Sequence, residues 1–224
     1  MDDTCWTLVE HAAAGITTAR DAFAKLYLPV VEAYLGARWR NTPLRSDVDD
    51  AVQDVFLDLI KPNGALTRAE RDHGAGGFRP FLYGVARNVA RRHEEKAGQR
   101  DRRETRISQS PDLAADDGNP SKAFECAWAR AIMRAARARH AKLAEENGRK
   151  SRENLELLRL RFQENLPIRD IASRWGAEPA AIHRQYRRAR MEFADALYAT
   201  VALHVSGTPA DIKRECARLL QLLR

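Results

Sequence analysis

Apolar residues recur at intervals of three and four along almost the whole chain, and runs of alternating β-branched residues are absent. This periodicity predicts helices, because 3.6 residues per turn bring a side chain back to the same face after three or four positions. The first strong segment, about 19–40, gathers Phe23, Leu26, Tyr27, Val30, Val31, Tyr34, Leu35 and Trp39 on one broad face. A second, 46–60, places Val48, Val52, Val55, Phe56 and Leu59 inward, with Ser46 and Asp49 as a capping pair. A third, about 78–97, uses Phe81, Leu82, Val85, Ala86 and Val89. Residues 61–77, with four glycines and a proline, read as a loop.

From 98 to 122 the composition shifts to Gly, Gln, Ser, Pro, Asp and charge, which reads as a flexible linker. Helical spacing resumes at Phe124, Trp128 and Ile132 and continues through Leu155, Leu158 and Phe162, then Ile168, Ile171 and Trp175, then Ile182, Tyr186, Ala189 and Phe193. The final segment offers Thr208 as N-cap, Pro209 at the first helical position and Asp211 in the first turn. The expected fold is all-α, with two small helical domains. A helical bundle over 1–97 and a helix-turn-helix domain over 123–200 flank the linker, and 201–224 is an extension with a short helix.

Charge sharpens this picture. The 224 residues carry 38 Lys plus Arg against 31 Asp plus Glu, for a net +7. Of the basic residues 31 are Arg, the side chain whose fork suits phosphates and guanine edges. No apolar run approaches the ~20 residues of a membrane span, and the acidic N-terminus does not read as a signal peptide, so a cytoplasmic location is expected. Three dispersed cysteines, Cys5, Cys126 and Cys216, fit neither a disulfide framework nor a zinc site and are expected as buried free thiols.

The most informative stretch is 166–193. A short helix with Ile168, Ile171 and Ala172 inward meets a turn at Trp175-Gly176, and a second helix opens near Glu178-Pro179. Its inward stripe is Ile182, Tyr186, Ala189 and Phe193; Ala180, His183, Arg184, Arg187 and Arg188 fall on the opposite side. A buried stripe backed by an Arg-rich face is how a helix-turn-helix offers a recognition helix to the major groove. Arg190, further round, is expected at phosphates or at a protein surface, and Gln185 at the buried flank.

Helix 46–60 has the opposite sign, with Asp47, Asp49, Asp50, Asp54 and Asp58 and no base. The first three suit the helix dipole, whereas Asp54 and Asp58 gain nothing from it, which points to a basic protein partner. Helix 78–97 sets Tyr83, Arg87 and Arg91 opposite its apolar stripe, with Asn88 and Arg92 beside them, a face able to hold a nucleic-acid backbone and stack bases.

Together these segments resemble the extracytoplasmic-function sigma factors of bacterial RNA polymerase. The order of Asp49, Asp50, Gln53, Asp54 and Phe56 is similar to the family's polymerase-binding helix, the Ala86-Arg87-Asn88 triplet to its promoter-melting helix, and 155–197, ending Arg187-Arg188-Ala189-Arg190, to its helix-turn-helix. The resemblance covers roughly 20–97 and 120–200. It implies a non-catalytic subunit that needs no cofactor or metal and is monomeric when free. Asp49, Asp50, Gln53, Asp54, Phe56 and Leu57 would bind the core polymerase clamp. Tyr83, Arg87, Asn88 and Arg91 would hold the −10 element. Ala180, His183, Arg184, Arg187 and Arg188 would read the −35 element from the polymerase flap. An anti-sigma protein is a further partner the resemblance allows. Two rivals remain: a dimeric helix-turn-helix regulator acting without polymerase, and a metal-dependent phosphodiesterase using the aspartates of 46–60.

Overall fold

The computed structural model describes residues 5–61, 63–68, 77–104, 119–205 and 207–224. Among these residues the regular structure is helical and no strand occurs, so the fold is all-α. In chain order the helices are α1 (Cys5–Ala13), α2 (Thr17–Arg38), α3 (Val48–Ile60), α4 (Phe78–Glu104) and α5 (Pro120–Glu146). They continue with α6 (Arg149–Phe162), α7 (Ile168–Trp175), α8 (Pro179–His204) and α9 (Pro209–Leu222). Two compact units result: Met1–Ala131 with Leu203–Arg224, and Ile132–Ala202. No helix among the described residues is long and apolar enough to cross a membrane.

The first unit is built on aromatic packing. Phe23, Tyr27, Val30, Val31, Tyr34, Leu35 and Trp39 are buried, as the α2 stripe predicts, while Leu26 is half-buried. Phe78, fully buried at the start of α4, meets Trp6, Phe23, Tyr27 and Phe81 with ring centroids 5.2–6.0 Å apart. Trp128 of α5 lies nearly parallel to Tyr27 at 5.5 Å. Such rings each remove a large apolar area from water and dominate the energy of a small core. Polar side chains then fasten the helix ends. Arg20 donates to the carbonyls of Ala12 and Ile60, tying the last turns of α1 and α3 together.

Glu94 of α4 accepts two bonds from Arg38, at 2.6 and 2.9 Å, and one from the Trp39 indole at 2.9 Å. Burial pushes its carboxyl up, but these donors outweigh burial and hold it below its ordinary 4.5. A depressed folded value means the stabilisation is full above pH 4.5 and is lost as pH falls through the folded value. Glu94→Gln should therefore flatten the stability–pH curve below that point, as read by urea melts at a series of pH values. An unaltered curve would remove this group from the acid response.

The C-terminal segment belongs to this unit. Thr208 caps α9 with Pro209 and Asp211 in its first turn, as the sequence predicts, and Thr208 and Asp211 close a reciprocal capping box. Arg79 of α4 contacts Glu215 at 2.9 Å and Glu125 of α5 at 3.5 Å, and Arg218 of α9 contacts the same two carboxylates at 2.9 and 2.8 Å. Alternating charges thus join three helices. At the start of α4, Gly77 has φ +58°, and a Cβ there would stand 2.0 Å from the His204 carbonyl oxygen. Only glycine permits that approach.

In the second unit Leu157, Leu160, Ile171, Ala172 and Ile182 form the buried centre, with Leu166, Ile168, Trp175, Ala177 and Tyr186 packed around it. Glu192 of α8 accepts from Asn154 of α6 at 2.7 Å and lies 3.7 Å from the buried His140 of α5.

Several expectations change. α4 runs to Glu104 and α5 begins at Pro120, so both ends of the stretch read as linker are helical; its middle, 105–118, lies outside the described residues. The units divide within α5, and Leu203–Arg224 groups with Met1–Ala131. On α6 the periodicity 155, 158, 162 picks the wrong face: Leu157 and Leu160 are buried, Leu155 and Leu158 half-buried, and Phe162 is 64% exposed. Four leucines within six positions leave that phase ambiguous. Ser46 does not cap α3, because a 3-10 turn at Pro43–Asp47 precedes it and the Ser46 hydroxyl donates to Pro43 O instead. Cys126 and Cys216 are free but half-buried rather than buried, and the Cys5 side chain lies outside the described residues.

Candidate nucleic-acid interface

The helix-turn-helix is closed by local backbone geometry. At the end of α7, Gly176 takes φ 60°, ψ 35°; its N–H donates to Ser173 O at 3.2 Å and the Ala177 N–H to Ala172 O at 2.9 Å. This is a Schellman stop, which needs a left-handed residue at the position glycine fills. Pro179 then opens α8, where a missing N–H costs nothing. Ile182 and Ala189 point into the core, and Tyr186 and Gln185 are half-buried at its flank.

Ala180, His183, Arg184, Arg187 and Arg188 are all exposed on the outer side of α8, as expected. The charge pattern around them is informative. On α6 and α7, Arg149 pairs with Glu153, Arg152 with Glu145, Arg159 with Glu156 and Glu164, Arg169 with Asp170, and Arg174 with Glu164. Neither His183 nor any of the three arginines Arg184, Arg187 and Arg188 has an ion-pair partner among the described residues. Five arginines of α6 and α7 are thus neutralised, with Arg161 bonded only to the Asn165 amide, while α8 presents uncompensated positive charge, the electrostatic requirement for a polyanion.

Beside this face lies an open groove of about 470 Å³ that includes His183, Arg184, Arg187, Arg190 and Met191. Arg190 is not simply free for phosphates: its guanidinium sits 5.8 Å from the Tyr186 ring centroid, and Tyr186 contacts Phe162 at 6.4 Å. Phe162 and Met191, 64% and 61% exposed, add an apolar edge that the sequence reading missed. Periodicity assigned Phe162 to the core, and Met191 carried no signal.

On α4, Arg87 and Asn88 are exposed, and Arg91 is exposed with Glu95 at 3.9 Å on the same helix. Tyr83 departs from the expectation of an open stacking platform. Its ring meets Tyr34 at 5.2 Å and Phe124 at 5.1 Å, and its hydroxyl shares a 2.7 Å bond with Ser121. In this conformation α5 covers it. The adjacent glycine-rich loop falls largely at 69–76, outside the described residues.

On α3 the acids divide into two sets. Asp54 contacts His93 at 2.9 Å, and Asp58 pairs with Arg92 and, at 2.8 Å, Lys61. These two attach α3 to α4 and to its own C-terminus, so their placement beyond the first turn has an intramolecular cause. Phe56 is half-buried against Phe23 at 6.0 Å. Asp49, Asp50 and Gln53 remain exposed with Leu57, whose 58% exposure is unusual for leucine on an otherwise well-packed helix. At 100° per residue these four share one face, with leucine among acidic and amide neighbours.

No group of three or more His, Cys, Asp or Glu among the described residues is arranged to hold a metal ion. The chain matches no protein-family model and no curated protein.

Proposed function

We propose that the chain is a sigma-type specificity subunit that joins bacterial RNA polymerase in the cytoplasm and directs it to promoters. One observation carries the reading: an exposed arginine face on the second helix of a Gly-closed helix-turn-helix, left without carboxylate partners while five arginines of α6 and α7 are paired. In this reading α8 enters the major groove, where Arg184 and Arg187 meet base edges and Arg188 meets backbone. The exposed face of α3 docks on the polymerase clamp, with Leu57 as apolar anchor and Asp49 and Asp50 as its charged rim. Arg87, Asn88 and Arg91 of α4 take the −10 strand, and Tyr83 contributes only once Phe124 and Ser121 withdraw. Bond formation belongs to the polymerase.

Reconstitution with bacterial core enzyme on homologous genomic DNA, followed by mapping of transcript starts, tests the reading. Discrete starts that depend on the chain support it. Binding of duplex DNA as a dimer, with no association with core, replaces it with a helix-turn-helix regulator. Within the reading, Leu57→Ala should weaken core binding about tenfold, or ~1.4 kcal/mol. Asp49→Lys with Asp50→Lys should slow association and reverse its salt dependence. Both changes lie on exposed positions, so circular dichroism should be unchanged. Wild-type affinity in both variants would exclude this face.

A further inference from the structure

The first unit carries a second concentration of positive charge that the sequence did not signal. Its three members are 40, 45 and 130 in the chain and come from three different elements. Arg40 follows the end of α2, Arg45 lies in the 3-10 turn Pro43–Asp47, and Arg130 lies on α5; they line one open groove of about 740 Å³. The floor includes Ala33, Gly36 and Ala37, and no carboxylate lines the groove. All three arginines are exposed. Arg45 spends one N–H on the Gly36 carbonyl at 3.0 Å, which fixes its guanidinium and leaves the rest of the fork outward.

Five other arginines of this unit are committed elsewhere. Arg20 binds backbone carbonyls, Arg38 binds Glu94, Arg79 and Arg218 share Glu125 and Glu215, and Arg92 binds Asp58. Arg40 and Arg130 have no ion-pair partner among the described residues. Concentrating unneutralised guanidinium groups in one concavity costs repulsion, which an anionic ligand would relieve. A protein ligand would seek a deep apolar pocket for an anchor side chain, and a lining of alanines, Gly36 and the small Cys126 side chain provides none. Sugar–phosphate backbone needs only cations and close access, which small floor residues allow.

We propose that this groove is a sequence-independent site for the phosphodiester backbone of nucleic acid, gripped by Arg40, Arg45 and Arg130. The proposal rests on the nucleic-acid part of the reading above and adds to it a contact in the first unit, remote in sequence from α8 and independent of α4. It requires no polymerase.

The test uses the full chain without polymerase and a fluorescent duplex of arbitrary sequence, titrated between 50 and 200 mM salt. Each lost phosphate contact lowers the slope of log affinity against log salt by about 0.9, so Arg40→Gln with Arg130→Gln should reduce it by about 1.8. Over that fourfold salt range the fall in affinity should then be about tenfold smaller than for the unaltered chain. Arg40→Lys with Arg130→Lys keeps both charges and should keep the slope. Arg45 stays untouched because it ties down Gly36. A wild-type slope in the glutamine pair overturns the groove whatever its thermal melt shows. So does loss of poly-glutamate binding with the DNA slope intact, which would mark an acidic protein as the ligand. Arg184→Ala with Arg187→Ala, run in parallel, separates this failure from failure of the recognition helix.

Discussion

Trp128→Ala lowers the stability of the first unit by about 3–5 kcal/mol, the usual cost of truncating a large aromatic in a closed core. Trp128 is 3% exposed, lies nearly parallel to Tyr27 and Phe124, and meets His204 edge-on at 5.9 Å. Removing the indole strips contact from α2, α5 and the end of α8 together, and those backbones are held by other rings, so the space cannot collapse. Trp128→Phe keeps a ring on Tyr27 and should recover much of the loss. Urea melts followed by circular dichroism give the size, and amide exchange gives the place. Protection should fall in α2 and α4 and persist around Leu157, Leu160 and Ile171, which belong to the other unit. A loss below about 1 kcal/mol would mean that α5 contributes nothing to the first unit's core.

On the proposed reading of α8, Arg184→Ala and Arg187→Ala should each flatten base preference at single positions of the bound duplex, by about 1–3 kcal/mol, or roughly five- to 150-fold in discrimination. Arg190→Ala should leave preference intact, because its guanidinium already rests on Tyr186. Gln185→Ala should also change little, since Gln185 borders the crevice of Trp175, Ala177 and Ile182 rather than the arginine face. Selection from a promoter library with each variant holoenzyme reads the result. A uniform loss over all sequences for Arg184→Ala and Arg187→Ala would make α8 a backbone clamp and end the base-reading proposal.

Local chemistry was the most legible part of the sequence. The stop at Gly176, Pro179 at the start of α8 and the Thr208 cap depend on neighbours within a turn or two, and each stands where the sequence puts it. The exposed side of α8 followed from periodicity for the same reason. What escaped depends on distant partners. Nothing near Asp54 or Asp58 announces His93 or Arg92, so acids that hold α4 read as acids waiting for another protein. Tyr83 read as a stacking residue because Ser121 and Phe124, which cover it, lie across an intervening segment. The stretch 98–104 looked like linker by composition, yet its polar residues include strong helix formers, and α4 continues through it. The arginine groove has no contiguous signature, since Arg130 joins Arg40 and Arg45 only when α5 packs on α2.

The ion cluster joining α4, α5 and α9 also bears on how the chain is made. Arg79 and Glu215 are 136 positions apart. A ribosome adding about 5–20 residues per second needs on the order of ten seconds to deliver the second after the first. Throughout that interval Arg79 lacks Glu215, and until His204 is added the close approach of Gly77 to its carbonyl cannot form. The unit begun first is completed last, after the whole of Ile132–Ala202 has emerged. Nascent chains stalled before α9 should therefore expose the start of α4 to protease, while the helix-turn-helix unit is already resistant.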